Sequence, residues 1–285
     1  MSDTTGRFPS RRSRPFAVIL GTDEIASAVA IELYRRNFGV VLSHNPATPV
    51  IRRRMAFHDA LFDDPVRLDG VVARSAPDGA AVRQALAAGD GVTVTDLGLL
   101  DLVVVRSLDL LIDARLQKRD ITPDLRHLAR FTIGLGPAFR GGGNCDVAIE
   151  TRPDIAGAVI AEGPTAPYDG KPALLGGRGR ERFLYAPFPG RWHTPFEIGM
   201  RVFKDYPIGQ LGSLSVDAPF DGVVRGLVRD GTEVPAGVKL LEIDARGRTA
   251  DVTGPDARAQ AVARGVGDVI DSRALRPLPL ARTAE

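Results

Sequence analysis

A glycine-rich stretch in the middle of the chain has the residue types and spacing best suited to holding a ligand. Phe131 to Thr151 opens with an apolar run, continues through a loop and returns to an apolar run before Glu150. The loop glycines are Gly134, Gly136, Gly141, Gly142 and Gly143. Glycine adopts positive φ without a Cβ penalty, so the backbone N–H groups of such a loop can turn toward an anion or the edge of a pterin. The pattern predicts strand, loop and strand, with the loop as a structural connection or a ligand cradle.

The same loop does not match the glycine fingerprint of dinucleotide-binding proteins. Phe139 stands at the position of the third glycine, and Pro137 interrupts where a helix should open. The first predicted strand is followed by only one glycine, Gly21, and then by Asp23 and Glu24. Their negative charge at a helix N-terminus would repel a phosphate. We therefore expect neither NAD nor FAD as a cofactor.

Charged residues near predicted strand ends supply further candidates. Asp96 and Asp113 each end a predicted parallel strand, at the sheet edge where α/β domains usually bind ligands, although Asp113 is equally typical of a helix cap. Three adjacent arginines beginning at Arg52 are typical either of a solvated helix face or of a clamp for phosphate or carboxylate. Cys145 has no histidine near it in sequence, so a structural role is favoured over a chemical one.

The composition narrows the class of protein. A net charge of +2 and a charged fraction of 25% do not call for nucleic acid or an acidic membrane as partner. The single cysteine excludes an internal disulfide and a thiolate metal cluster. The N-terminal stretch lacks the apolar core of a signal peptide, and no run of the sequence is long enough to span a membrane. We expect a cytoplasmic protein, and the sequence does not specify its oligomeric state.

The order of elements predicts an α/β domain. Phe16 to Leu20 has strand character, a helix-periodic segment runs from Ile25 to Arg36, and Val40 to Leu42 is a second strand. Such a βαβ unit opens a doubly wound, Rossmann-like domain. His44 follows the second strand where dinucleotide-binding proteins have an acid, so the usual ribose partner is missing as well.

From Tyr185 onward the pattern changes to short strands with glycine punctuation. Ala186 to Gly190 recurs as Ala218 to Gly222, 32 residues later, which indicates two similar half-units around one core. The second half resembles biotinyl and lipoyl carrier domains, whose fold is a barrel-sandwich hybrid, but the connection from Gly209 to Asp217 lacks the attachment lysine. We predict a tail (1–15), a Rossmann-like α/β domain (16–182), a barrel-sandwich hybrid (183–250), and a C-terminal helix with tail (251–285).

Several motifs together resemble the selenium-dependent molybdenum hydroxylase system proteins, a family of accessory factors. The resemblance extends from Ala17 to Ile270. Its motifs are IGLGPAF at Ile133–Phe139, Glu150-Thr151, an arginine pair before Ala56-Phe57 and Ala60, Ile112-Asp113-Ala114 with Lys118, and Arg225-Gly226-Leu227 with Asp230-Gly231, Val234, Gly237 and Lys239. The resemblance implies a factor for maturation of a molybdenum hydroxylase, its client, that binds or inserts the molybdopterin-type cofactor or its sulfur or selenium ligand.

The resemblance also implies a site. Backbone N–H groups of Gly134, Gly136, Gly141 and Gly142, with the side chains of Arg140, Arg52 and Lys118, would bind phosphate, while Asp113 and Glu150 would accept hydrogen bonds from pterin or ribose. Two alternatives stay open: a non-catalytic scaffold that docks a client enzyme, and a nucleotide-dependent oxidoreductase. The residues do not decide whether the protein is an enzyme.

Overall fold

Two packed parts make up the fold, which a computed structural model describes for residues 14–62, 65–117 and 122–273. The first part is built on a nine-stranded sheet, and the second on two four-stranded antiparallel sheets. The strands of the first part are β1 (Phe16–Leu20), β2 (Gly39–Ser43), β3 (Val66–Leu68), β4 (Val71–Ser75), β5 (Val92–Thr95), β6 (Leu110–Asp113), β7 (Thr132–Leu135), β8 (Arg140–Gly141), β9 (Val147–Ile149), β10 (Val159–Ile160) and β11 (Gly163–Pro164).

The nine-stranded sheet is parallel except at its two edges. Its order is β10-β9-β7-β6-β1-β2-β5-β4-β3, while β8 and β11 pair separately. β3 and β10 are the antiparallel edge strands. β1 lies between β2 and β6, with Leu20 opposite both Ser43 and Asp113. The carboxyl ends of the central strands therefore meet at one edge of the sheet.

Both faces of this sheet are covered, which explains why its central strands are continuously apolar. Phe16, Val18 and Leu20 belong to one buried cluster and the alternate residues Ala17 and Ile19 to the other. The helices are α1 (Glu24–Arg35), α2 (Gly79–Ala88), α3 (Leu99–Val103) and α4 (Ala257–Ser272), and short 3-10 helices include Arg53–Met55 and His58–Leu61.

The last helix of the chain completes the core of the first part. Val262 and Val266 of α4 are fully buried in the same cluster as Val29 and Leu33 of α1. Asp256 begins the helix, since its carboxylate accepts a hydrogen bond from the N–H of Ala259 at 2.9 Å. The chain thus leaves the first part, builds the second, and returns.

The second part contains the antiparallel strands. They are β12 (Phe183–Tyr185), β13 (Gly190–His193), β14 (Arg201–Val202), β15 (Pro207–Leu211), β16 (Leu214–Asp217), β17 (Gly222–Leu227), β18 (Glu233–Val234) and β19 (Lys239–Asp244). They form two sheets, in the orders β12-β19-β17-β14 and β16-β15-β13-β18. Trp192 is the largest fully buried side chain of this core, and Gly209 lies against it: a Cβ there would come within 2.5 Å of the indole ring.

The predicted fold class, a Rossmann-like domain followed by a barrel-sandwich hybrid, is wrong. The chain is a mixed α/β protein with a large, mostly parallel sheet and additional antiparallel sheets, and a separate barrel-sandwich module is not shown. The repeat between Ala186 and Gly222 carries no information on α4, which packs on α1, or on Ile51, which joins the second core. The predicted domain boundaries stay a prediction.

A buried group of charges joins the two parts. This charge cluster comprises Glu24, Arg52, Arg182, Arg225, Glu242 and Asp256. Arg52 of the first part donates at 2.7 Å to both Glu24 and Glu242. Burial opposes ionisation of Glu242, but the charges of Arg52, Arg225 and Arg182 lower the pKa of its carboxyl to about 2. Removal of one member of the cluster would therefore leave a buried charge without its partner.

Within the residues that the structure describes, no helix has both the length and the apolar character needed to cross a membrane.

Candidate functional site

A cleft of about 280 Å³ opens at the carboxyl ends of the central strands. This strand-end cleft is lined by Leu20, Ser43, His44, Asn45, Gly98, Leu99, Arg115, Pro123, Leu125 and Leu128. β1 continues through α1 to β2 on one side, whereas β6 lies on its other side and is reached from β5 through α3. The crossovers diverge between β1 and β6, and such a switch point is where open α/β sheets bind ligands.

A histidine oriented by a carboxylate forms one wall of the cleft. His44 and Asp96 directly follow the neighbouring parallel strands β2 and β5, whose register pairs Ser43 with Thr95. His44 Nδ1 lies 2.8 Å from Asp96 Oδ1, and the histidine side chain is 17% exposed. A carboxylate only accepts, so Nδ1 is the donor of this hydrogen bond.

A second histidine lies behind the first. The rings of His44 and His58 have centroids 5.0 Å apart, and His58 Nδ1 shares a 3.0 Å hydrogen bond with Thr22 Oγ1. Burial, reinforced by the proximity of His44, Arg53 and Arg229, lowers the pKa of His58 to about 3. His58 is therefore neutral at physiological pH and adds no charge to the site.

An arginine fixed by an aspartate forms the cationic part of the cleft. Asp113 ends β6 and is almost fully buried. It accepts hydrogen bonds from Arg115 Nε at 3.0 Å and Arg115 Nη2 at 2.5 Å. A guanidinium held in this way keeps a defined direction and suits a carboxylate or phosphate partner.

The turn after β1 is closed by a carboxyl group. Asp23 caps α1 and accepts hydrogen bonds from the N–H groups of Ile25 at 3.0 Å and Ala26 at 2.9 Å. Burial and the adjacent Glu24 raise the pKa of Asp23 to about 7. The carboxyl group occupies the helix N-terminus, where dinucleotide-binding proteins hold a phosphate. The expectation of no NAD or FAD, like that of a molybdopterin cargo, stays a prediction.

The glycines of the central loop pack against their own chain. A Cβ on Gly134 would lie 2.1 Å from the Phe139 ring, and one on Gly141 would lie 2.2 Å from the carbonyl oxygen of Ile160. Gly136 and Gly142 have φ of 86° and 69°. These demands for glycine arise from tight packing and turning of the loop, and its ligand-binding role stays a prediction.

The remaining predicted site residues are dispersed. Arg52 belongs to the charge cluster, Arg140 is exposed beside the loop, and the buried Glu150 accepts a hydrogen bond from the N–H of Ala166. Asp113 contacts the cleft residue Arg115. The register between β6 and β7 pairs Asp113 with Gly134. Lys118 lies outside the described residues. The structure thus does not gather the predicted set into one site.

Sequence reasoning missed the main lining groups. In the sequence, His44 stands where dinucleotide-binding proteins have an acid, and no local motif marks His58 or Arg115 as site residues. A usable signal existed, because His44, Asp96 and Arg115 all lie within two residues of a strand end. In the described ranges, no three histidine, cysteine, aspartate or glutamate side chains are placed to hold a metal ion. Burial raises the pKa of the Cys145 thiol to about 11, which keeps it protonated.

Fold and cleft together define an α/β protein with a cleft at the switch point of its mostly parallel sheet. No family model matches the chain. It is 34% identical over 258 residues to "Uncharacterized protein YqeB" of Escherichia coli K12, a match that covers 87% of this chain and 46% of that protein. The chain therefore spans about half the length of the curated relative that it matches.

Similar solved structures are an aspartoacylase family protein from Mesorhizobium loti and a succinylglutamate desuccinylase/aspartoacylase from Rhodobacter sphaeroides. The first has a TM-score of 0.24 and 10% identity, covering 81% of this chain and 85% of that one. The second has a TM-score of 0.24 and 14% identity, covering 81% and 86%. At such low similarity the hydrolase descriptions belong to those proteins alone.

The predicted membership of the molybdenum hydroxylase accessory family is wrong. No family model supports it, and the description of the matched relative names no molybdenum or selenium protein. The predicted maturation function is wrong as well. The scaffold and oxidoreductase alternatives have no support either. A client enzyme and the absence of nucleic-acid and membrane partners stay predictions.

Proposed function

We propose that the protein binds a small organic anion with an apolar portion in the strand-end cleft. One observation carries the proposal: Arg115 and His44 line the same cleft as Leu99, Leu125 and Leu128. A cationic group beside an apolar wall selects a ligand that has both an acidic group and a hydrocarbon part. The reducing cytoplasm is the compartment that we propose, because Cys145 is the chain's single cysteine.

The contacts of the polar side chains assign a role to each wall. Asp113 fixes the guanidinium of Arg115, which receives the carboxylate or phosphate of the ligand. Asp96 fixes the ring of His44, which donates a further hydrogen bond or exchanges a proton with the ligand. The cleft volume of about 280 Å³ lies near the lower end of the roughly 300–1,000 Å³ typical of ligand sites, so the ligand is small.

A panel of acids tests the proposal. Acetate, hexanoate, benzoate and phenyl phosphate, with benzyl alcohol as the neutral comparison, are titrated into the protein by ligand-observed NMR and calorimetry. We expect benzoate, hexanoate or phenyl phosphate to bind more tightly than acetate or benzyl alcohol. Arg115→Gln should weaken that binding by roughly 10- to 100-fold, as expected for loss of a charge-assisted contact.

Arg246→Gln is the matched control, because Arg246 makes the same bonds to Asp244 away from the cleft. It should leave the affinity unchanged. Absence of binding by every acid, or an equal loss in both variants, would contradict the proposal.

A further inference from the structure

His44 of the cleft and the buried His58 behind it are the two ends of one continuous segment. We call residues 44–58 the strap: it leaves β2 at His44, crosses to the second part, and returns at His58 beside its own starting point. His44 lines the cleft, and its ring centroid is 5.0 Å from that of His58. The middle of the strap is therefore connected through the chain to both histidines.

The middle of the strap is anchored in the core of the second part. Ile51 is buried there, and its carbonyl oxygen accepts a 2.7 Å hydrogen bond from the N–H of Leu227 in β17. A Cβ on Gly226 would lie 3.1 Å from the Ile51 side chain, so the glycine permits this close approach. The adjacent Arg52 is held by Glu242 of β19.

Arg53 links the same strand to the turn that carries His58. Its Nε donates to the carbonyl oxygen of Leu227 at 2.9 Å, and its Nη1 donates to Asp59 Oδ2 at 2.6 Å. Asp59 is the neighbour of His58 in the 3-10 helix His58–Leu61. One side chain thus spans from β17 to the residue next to the buried histidine.

The loop after β17 makes a second contact with the turn that carries His58. Arg229 lies 3.9 Å from Asp59 and 4.6 Å from the centroid of the Phe62 ring. Phe62 in turn meets the His58 ring edge-on, with 5.7 Å between centroids. Two arginines, one on the strap and one on the second part, therefore hold the turn around His58.

We propose that the second part positions His44 of the strand-end cleft, and the buried His58 behind it, through the strap, with Arg53 as the positioning residue. The antiparallel sheets are then a structural component of the ligand site even though none of their residues lines it. The effect on ligand affinity rests on the proposed function, whereas the effect on the histidine rings does not.

Ring NMR without ligand tests the positioning. The chain has four histidines, and His193, in β13, serves as the internal reference. In Arg53→Gln, the ring resonances of His44 and His58 should shift while His193 stays fixed. Arg53→Lys keeps the charge but cannot span Leu227 and Asp59 together, so a partial shift is expected. Arg54→Gln is the control, since Arg54 is 49% exposed and lies 3.7 Å from Glu197.

A second variant tests the same positioning without changing the sequence of the strap, in case Arg53→Gln does not fold. Arg229→Gln changes the second part only, and it should move the His58 resonances in the same direction as Arg53→Gln. With benzoate as probe, Arg53→Gln should weaken binding by roughly 2- to 30-fold, the range of measured coupling between connected sites. His44 and His58 resonances that match those of Arg54→Gln in both folded variants would overturn the proposal. Failure of benzoate to bind wild-type protein would instead count against the proposed function.

Discussion

The tetrapeptide Ile-Asp-Ala-Arg occurs twice, at Ile112–Arg115 and Ile243–Arg246, and its two copies share a local geometry in different surroundings. Each aspartate ends a buried strand, and each arginine turns back onto it. The distance from Nη2 to Oδ2 is 2.5 Å in the first copy and 2.7 Å in the second. In both copies, the backbone N–H of the arginine also donates a hydrogen bond to Oδ1 of the aspartate.

The surroundings decide what each copy can do. Asp113 ends a parallel strand beside the switch point, where diverging crossovers leave a cleft in front of Arg115. Asp244 ends β19, between two antiparallel neighbours, and Arg246 packs close to Gly176. Local sequence therefore fixes the side-chain pair, and the topology of the sheet determines whether a ligand can reach it.

The largest expected effect is a loss of stability when the charge cluster, which lies near the second copy, loses Glu242. Glu242→Gln leaves Arg52, Arg182 and Arg225 without their shared carboxylate, and should lower the free energy of unfolding by about 3–5 kcal/mol. Urea denaturation measures it. Glu233→Gln, an exposed glutamate paired with Arg191, should change it by less than about 0.5 kcal/mol. Similar losses in both variants would show that the cluster is not a special source of stability.

The next effect is the pH dependence of folding stability that is caused by His58, behind the cleft. His58 has a folded-state pKa of about 3 against an ordinary 6.5, so the unfolded chain binds a proton that the folded protein does not. Its stability contribution is complete above pH 6.5 and is lost as the pH falls toward 3, at about 1.4 kcal/mol per pH unit. Denaturation from pH 7 to 5 should therefore show a shallower decline in His58→Gln than in wild type.

Asp23 and Glu242 also have shifted pKa values, so they too contribute to the pH dependence of stability. The raised pKa of Asp23, about 7, acts in the opposite direction, because its contribution is present at low pH and lost as the pH rises through 7. Glu242 matters only below its ordinary 4.5. Both groups stay in the variant, so the difference between wild type and His58→Gln isolates the histidine. His193→Gln is the exposed control, and equal slopes in all three proteins would contradict a buried neutral His58.

The smallest expected effect compares the two arginines directly. Arg115→Gln and Arg246→Gln each remove charge-assisted bonds to a buried aspartate, and each should destabilise by about 1–3 kcal/mol. The two losses should agree closely in thermal unfolding, because the local geometries agree. A much larger loss for one of them would mean that the copies are not energetically equivalent.

The sequence predicted the opening βαβ unit well because hydrophobic periodicity is a local signal. β1, α1 and β2 lie where the pattern placed them. Helix α4 packs on α1, and Ile51 packs in the core of the second part. Both contacts join residues that are far apart in the chain, and local sequence patterns do not encode such contacts. Asp113 is recognisable because it ends an apolar run, whereas His44 and Arg115 come together only because β6, β1, β2 and β5 lie side by side in the sheet.

Chemical-shift mapping of a bound acid tests the central claim most directly. Backbone amide spectra of the protein titrated with benzoate should show the largest changes at Ser43, His44 and Gly98, around the strand-end cleft. Residues 244–246, which carry the second tetrapeptide, should stay unchanged. Changes confined to the second part, or spread evenly over both copies, would contradict a ligand site at the switch point.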